Sequence, residues 1–229
     1  MNNVLIGAGG FLGTIIIYIG AKWLYGKLPN PFLLPILPVT MIIGTFLLIS
    51  HIPYETYMIG GQVIDWFLGP AVVALAYPLY RHREVMKTYP LTLLAGIGSG
   101  SIVGVVTGIL FVKWFGFDRE MIVSMTPKNA TTPVATEITA MIGGVPSLAV
   151  VFVMIAGIGG AVCGPAVMKW FKIYHFLGKG AGMGSASHAI GTSKSLENSE
   201  EEGAVSTVAM TLSAIMVSLI SPFFVWLLL

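Results

Sequence analysis

The sequence predicts an all-α, polytopic membrane protein built from two repeats, inverted in the membrane, with broken or re-entrant helices. Three observations lead there. Of 229 residues, 55% are hydrophobic and only 10% charged, with a mean hydropathy of +0.87, whereas soluble domains carry about 25% charged residues. The runs Leu28–Ser50, Thr88–Val112, Ile138–Met168 and Gly203–Leu229 contain no charge, and each reaches the roughly 20 residues a helix needs to cross the hydrocarbon core. Two stretches, 121–144 and 176–195, are apolar in character but broken by Gly, Pro, Ser and Thr. Such backbone is tolerated at membrane depth only inside protein or around a watery cavity.

Taken in order, the spans are expected near 4–25, 31–50, 58–80, 89–113, 146–170 and 204–228. Val4–Tyr25 reads as a retained first span, because the uncharged start lacks the basic region of a signal peptide. The organisation is one membrane domain over 1–229: an N-terminal span in 1–30, a first repeat in 31–117 and a second in 118–229. Lys22 and Lys27 follow the first span, and Arg81, Arg83 and Lys87 follow the third. The positive-inside rule puts both loops in the cytoplasm and the N-terminus outside. A bacterial cytoplasmic membrane is the expected location. The alternating ten-residue segments of an outer-membrane barrel are absent, and Cys163 is the only cysteine, which excludes an intrachain disulfide and a cysteine metal cluster. No cofactor is implied, and a net charge of +2 is too small to suggest nucleic acid.

The repeat is read from two matches. "ETYMIGG" at 55–61 resembles "EITAMIGG" at 137–144, and Gly98, Gly100 and Ser101 align with Gly182, Gly184 and Ser185. Transporters are often built from inverted repeats, with the site where broken helices meet. Inversion in this register requires 121–144 to cross the membrane, while Lys169 and Lys172 favour a return to the same side; crossing and hairpin both stay open.

Candidate site residues fall in the two broken stretches. In "TPKNATTPVATE" at 126–137, Pro127 and Pro133 interrupt helix, Thr131 or Thr132 can cap the helix that Pro133 begins, and Lys128 lies beside its N-terminus. Unpaired N–H groups and the positive dipole end suit a small carboxylate. The structural alternative is an interfacial loop. In 176–195, Gly182, Gly184 and Gly191 could simply allow close helix packing. Packing does not account for Ser185, Ser187, His188 and Thr192 together, and an ionisable His188 at membrane depth is a functional candidate by default. The spacing fits neither a dinucleotide fingerprint nor a P-loop. Ser187 beside His188 is no catalytic geometry, and no G-x-S-x-G occurs, so an enzyme is not expected. Glu137, His188 and Asp65 are the candidates for carrying a coupled proton, His because it titrates near neutral pH.

These residues resemble a known family. "PKNATTPVATEI", "GGVPSLAVVFVMIAGIGGAVCGP" and "SHAIGTSKSLENSEEEGAVSTVAM" resemble, in order and spacing, the signature segments of the LrgB/CidB family. Asn129 stands where the family usually has Ser, and Ala189 where it usually has Gly. The resemblance implies two functions. One is transport of small monocarboxylates of the pyruvate, glycolate or glycerate class. The other is antiholin-like modulation of murein hydrolase activity and lysis, beside a small holin-like membrane partner of the LrgA/CidA type. The broken, polar, Gly-rich segments favour a carrier working by alternating access, with Lys128, Asn129, Thr131, Thr132 and Pro133 facing residues 182–192. A homo-oligomer in contact with membrane lipid is expected.

Overall fold

A computed structural model describes residues 2–30, 33, 35–74 and 76–229, without the side chains of 2–6, 68, 71 and 72. Twelve helices and no strands occur among the described residues. Four are long and apolar enough to cross a membrane, within α1 (Asn2–Lys27) and in α7 (Pro90–Trp114), α10 (Pro146–Trp170) and α12 (Glu200–Leu228). The chain is a multi-pass membrane protein. Contacts divide it into two compact units, residues 1–71 and 72–229.

In the first unit, α1 packs against α3 (Tyr54–Asp65) through glycine. A Cβ on Gly60 would collide with the Gly7 carbonyl, and Thr14 Oγ1 bonds Tyr57 Oη at 2.9 Å. α2 (Ile36–Ser50) has only 15 residues, about 22 Å at 1.5 Å per residue, short of a roughly 30 Å hydrocarbon core. The first residues of the span expected at 31–50 lie outside the described residues. The span expected at 58–80 is interrupted: α3 ends at Asp65, a turn follows at 66–67, and α4 (Leu68–Ala74) and α5 (Ala76–Arg81) lie on either side of residue 75, which is outside the described residues. Gly69 and Pro70 stand in the first turn of α4, and Pro70 lacks the N–H that would carry α3 on through the turn.

The second unit holds the broken stretches. After α6 (Arg83–Thr88), Pro90 starts α7 in its first turn, where the missing N–H costs nothing. α7 and α12 run parallel: Leu93 and Ile97 pack with Val205, Val208 and Ala209 near one end, and at the other Lys113 Nζ donates to the Leu228 carbonyl at 2.6 Å. Asp118 caps α8 (Arg119–Met125) by accepting from the Met121 N–H at 2.8 Å. α8 descends beside α7, its end facing Gly108 and Asn129 facing Gly104. The chain breaks at 126–131 and returns as α9 (Thr132–Ile142). Return is the right word, because the Val145 N–H donates to Ser124 Oγ at 2.8 Å. Residues 144–145 therefore lie back against Ser124, and the segment is a re-entrant hairpin.

α10 then crosses the bundle against α11 (Phe176–Asn198). Gly157, Gly160 and Gly164 face Ile190, Ser187 and Met183 in turn, an antiparallel register. α11 is itself a hairpin. Its backbone turns at His188 (φ 47°, ψ −130°), and Gly191 folds back against Met183 and Ser187. The first arm runs parallel to α12, with Gly180 at Glu202 and Val205 and Gly184 at Ser206 and Ala209; the second arm returns, with Leu196 beside Gly203. The first hairpin thus enters from the side where α7 ends, and the second from the side where α7 begins.

The long helices that precede the hairpins match at a constant spacing. Pro90 and Pro146, Gly104 and Gly160, Gly108 and Gly164, and the triplets Lys113-Trp114-Phe115 and Lys169-Trp170-Phe171 are each 56 residues apart. Gly116 and Lys172, the next pair, both take positive φ (74° and 56°). The spacing of 83–84 residues read from the sequence pairs α3 with the return arm of the first hairpin, and the described residues supply nothing further for it.

Two outcomes follow. Gly184→Ala, whose Cβ would meet the Ser206 carbonyl, lowers unfolding stability in detergent by about 1–3 kcal/mol, while Gly159→Ala, with open space around it, is neutral or stabilising. With Cys163 replaced by Ser, Phe117→Cys and Ser147→Cys react with an impermeant maleimide from the same side of the membrane, and Lys172→Cys from the other. A crossing segment would separate 117 from 147.

Candidate functional site

The two hairpin tips meet deep in the second unit, and their polar groups are the candidate site. Thr126, Pro127 and Ala130 are fully buried and wedge the first tip in place. The break is held by turn bonds, Lys128 N–H to the Met125 carbonyl at 3.1 Å and Ala130 N–H to the Pro127 carbonyl at 2.9 Å. Lys128 Nζ donates to the Gly104 carbonyl at 3.0 Å and to Asn129 Oδ1 at 2.7 Å. Ser213 Oγ, midway along α12, donates to the Asn129 carbonyl at 3.2 Å and lies 3.2 Å from Ser101 Oγ of α7. A Cβ at Gly104 would push the Asn129 side-chain amide out of its place.

The second tip brings His188 against the Asn129 backbone and into the field of the Lys128 ammonium. The His188 ring is 3% exposed, and its Nε2 has no hydrogen-bond partner. Ser187 Oγ and Thr131 Oγ1 are also buried and unpartnered. A buried polar atom left unbonded costs on the order of 1–3 kcal/mol, so three together mark a place where a polar guest would be welcome. Each tip also carries the N-terminus of its return arm, which presents N–H groups without helical partners.

The candidates read from the sequence divide into groups. Lys128, Asn129, Thr131, Ser187 and His188 lie at the tips. Thr131 stands at the N-cap of α9 with an extended backbone, yet its hydroxyl caps nothing; Thr132 and Pro133 form the half-buried first turn. The Thr192 hydroxyl is engaged by Ser206 Oγ at 2.9 Å, which ties the return arm to α12. Gly182, Gly184 and Gly191 serve close packing, against Met168, α12 and the opposite arm respectively. Ser185 bonds back to the Ala181 carbonyl at 2.6 Å and faces Gly100 of α7. Glu137 is exposed on α9, in an apolar groove beside Thr211 and Ile215, away from the tips. Asp65 is the exposed last residue of α3 in the first unit.

Gly104 and Ser213 were not singled out from the sequence, and Ser101 only as part of the repeat. Gly104 resembles the other glycines of its helix, and Ser101 and Ser213 are two of many small residues in apolar spans. Among the described residues no cluster of His, Cys, Asp and Glu could hold a metal ion.

The comparisons with known proteins agree over nearly the whole chain. The model of the LrgB-like family matches residues 14–227. "Uncharacterized protein YxaC" of Bacillus subtilis (strain 168) is 47% identical over 214 residues, 93% of each chain. "Uncharacterized protein YwbG" of the same strain is 35% identical over 220 residues, 96% of this chain and 98% of that one. "Holin-like protein CidB" of Staphylococcus aureus (strain N315) is 36% identical over 222 residues, 97% of each chain. No solved structure matches. With the family model covering almost every described helix and relatives aligned end to end, the chain belongs to the LrgB-like family.

Proposed function

We propose that the protein is a multi-pass carrier of small monocarboxylates, of the pyruvate, glycolate or glycerate class, working by alternating access around the meeting point of the hairpin tips. One observation carries the reading. The Lys128 ammonium stands at that meeting point bonded only to neutral acceptors, and it enters no ion pair among the described residues. A charged group at membrane depth is expensive without a counter-ion. A carboxylate arriving from solution supplies one, and leaves again when the site opens.

The chemistry of the tips supports the assignment. Lys128 and the return-arm N–H groups would hold the carboxylate. Thr131, Thr132 and Ser187 would offer hydroxyls to a keto or hydroxyl group, Thr192 could do so only by giving up its bond to Ser206, and His188 would offer Nε2. His188, or Glu137 from its groove, or Asp65 from the first unit, would carry a coupled proton. The matching of α7 with α10 at 56 residues, with hairpins entering from opposite sides, is the pattern of an inverted repeat. Such a pair gives a carrier two equivalent ways to expose one central site.

A second reading is favoured by the printed name "Holin-like protein CidB" of relatives 36% identical. In it the chain modulates murein hydrolase activity and lysis, as an antiholin-like protein acting with a small holin-like partner, and as a homo-oligomer among membrane lipids. It leaves the polar tips without a role, which is why the carrier reading is preferred.

Purified protein alone in proteoliposomes is expected to show saturable uptake of labelled pyruvate or glycolate. Lys128→Met and His188→Ala should each lower uptake at least about tenfold, the worth of a charge-assisted or buried hydrogen bond, with the melting profile in detergent retained. Uptake that appears only with the holin-like partner added would move the activity to a two-component assembly. Full uptake in both variants would remove the site from the tips.

A further inference from the structure

The two hairpins are held very differently. At the first, the neck is tied by Val145 to Ser124 and the tip by Lys128 to Gly104 and Ser213 to Asn129. At the second, the tip residue is a histidine at φ 47°, ψ −130°, a conformation open to glycine and strained for any L side chain. Three buried polar atoms of this hairpin, Ser187 Oγ, His188 Nε2 and Ser195 Oγ, lack partners. Its arms approach their neighbours closely at glycine, Gly160 and Gly164 of α10 and its own Gly180 and Gly184 against α12, and its side-chain ties are the Thr192 bond to Ser206 and the Asn198 and Lys179 contacts to Glu202. Glycine surfaces of this kind let a rigid element shift with few interlocked side chains to disengage.

A cavity of about 240 Å³ opens at the foot of the same hairpin. Lys169, Lys179, Asn198, Glu202 and Met183 line it. Glu202 is 4% exposed and accepts from Asn198 Nδ2 at 3.1 Å. Lys179 Nζ is 4.0 Å from the other carboxylate oxygen, a loose ion pair, and Lys169 makes none among the described residues. Pro165, Met168, Ile173 and Tyr174 complete the lining, so two ammonium groups and one carboxylate stand on an otherwise largely apolar wall. The cavity lies on the side of the bundle where α7 begins, the side of Arg81, Arg83 and Lys87, which the positive-inside rule assigns to the cytoplasm. Met183 connects it to the tip: its thioether fills the space at Gly164, and its carbonyl backs Gly191.

We propose that the second hairpin is the cytoplasmic gate of the carrier, and that the cavity at its foot is an anion-binding anteroom in which Lys169 and Lys179 receive the small carboxylate. The proposal rests on the carrier reading. In it the first hairpin is the fixed wall that carries the Lys128 ammonium. The second swings from α10 and α12, relieving the strain at His188, and passes the anion between anteroom and tip.

The test uses full-length protein with Cys163 replaced by Ser, in proteoliposomes, with labelled pyruvate and glycolate as probes. Gly164→Cys with Met183→Cys, oxidised to a disulfide, ties the second hairpin to α10; Ser124→Cys with Gly144→Cys pins the first at its neck. Locking the second is expected to cut uptake at least about tenfold, as blocking a gating step does, and reduction should restore it. Locking the first should leave uptake within about twofold of its reduced form, as for a wall that does not move in the cycle. Should the reduced Met183 pair fold poorly, Gly160→Cys with Ser187→Cys makes the same tie one turn nearer the tip. Lys169→Met should raise KM several-fold for substrate offered from the cytoplasmic face, with kcat unchanged. Undiminished uptake through a locked second hairpin, or equal block by either lock, would overturn the gate. An unchanged KM in Lys169→Met would overturn the anteroom. Absence of uptake by the parent protein is a different result, and would defeat the carrier reading itself.

Discussion

A bilayer core has no water to satisfy broken backbone, and the second unit is organised around that constraint. The chain leaves helical geometry at 126–131 and again at His188, at depths where each free N–H or carbonyl facing lipid would cost several kcal/mol, roughly as for any unpaired polar group in hydrocarbon. Both breaks are affordable only because α7, α10 and α12 enclose them. Enclosure depends on close approach, and close approach depends on glycine. A Cβ on Gly104 would displace the Asn129 amide, one on Gly184 the Ser206 carbonyl, and one on Gly191 the opposite arm. The polar centre and the glycine-rich helices are two aspects of one requirement.

Much of this was legible in the sequence, and the rest was hidden for physical reasons. α7, α10 and α12 stand within a few residues of the expected spans, because charge-free length alone identifies a crossing helix. The break in the third span was not anticipated, since window hydropathy averages over Gly69, Pro70 and Pro78. Hairpin and crossing could not be separated, because what distinguishes them is a single contact between Ser124 and Val145. The repeat was sought among glycine-rich motifs, which match one another at many offsets. The spacing of 56 rests on the less repetitive ends, the opening prolines and the Lys-Trp-Phe triplets. Lys128 and His188 stood out as ionisable residues in apolar surroundings. Gly104 and Ser213 did not, because their part is to offer a carbonyl and a hydroxyl to someone else's tip.

The hairpins also clarify why charge bias and inversion looked incompatible. With 121–144 returning to its own side, α10 carries the chain across, and Lys169 and Lys172 come to the side of Arg81, Arg83 and Lys87. The hairpins are inverted with respect to each other because the helices that precede them run in opposite directions. No additional crossing is needed.

The Lys-Trp-Phe triplet now stands at opposite faces of the membrane in its two occurrences. At the end of α10 the lysine is on the face rich in basic residues and helps to orient the protein. At the end of α7 the same lysine is on the wrong face for that purpose, and it is put to another use: Lys113 binds the Leu228 carbonyl, so that a cation meets the negative end of α12. The same three letters in the opposite orientation lose their topological meaning. Here the charge has become a clasp on the last turn of α12, worth about 0.3–1 kcal/mol beside the buried packing of that helix, while its counterpart serves as a signpost.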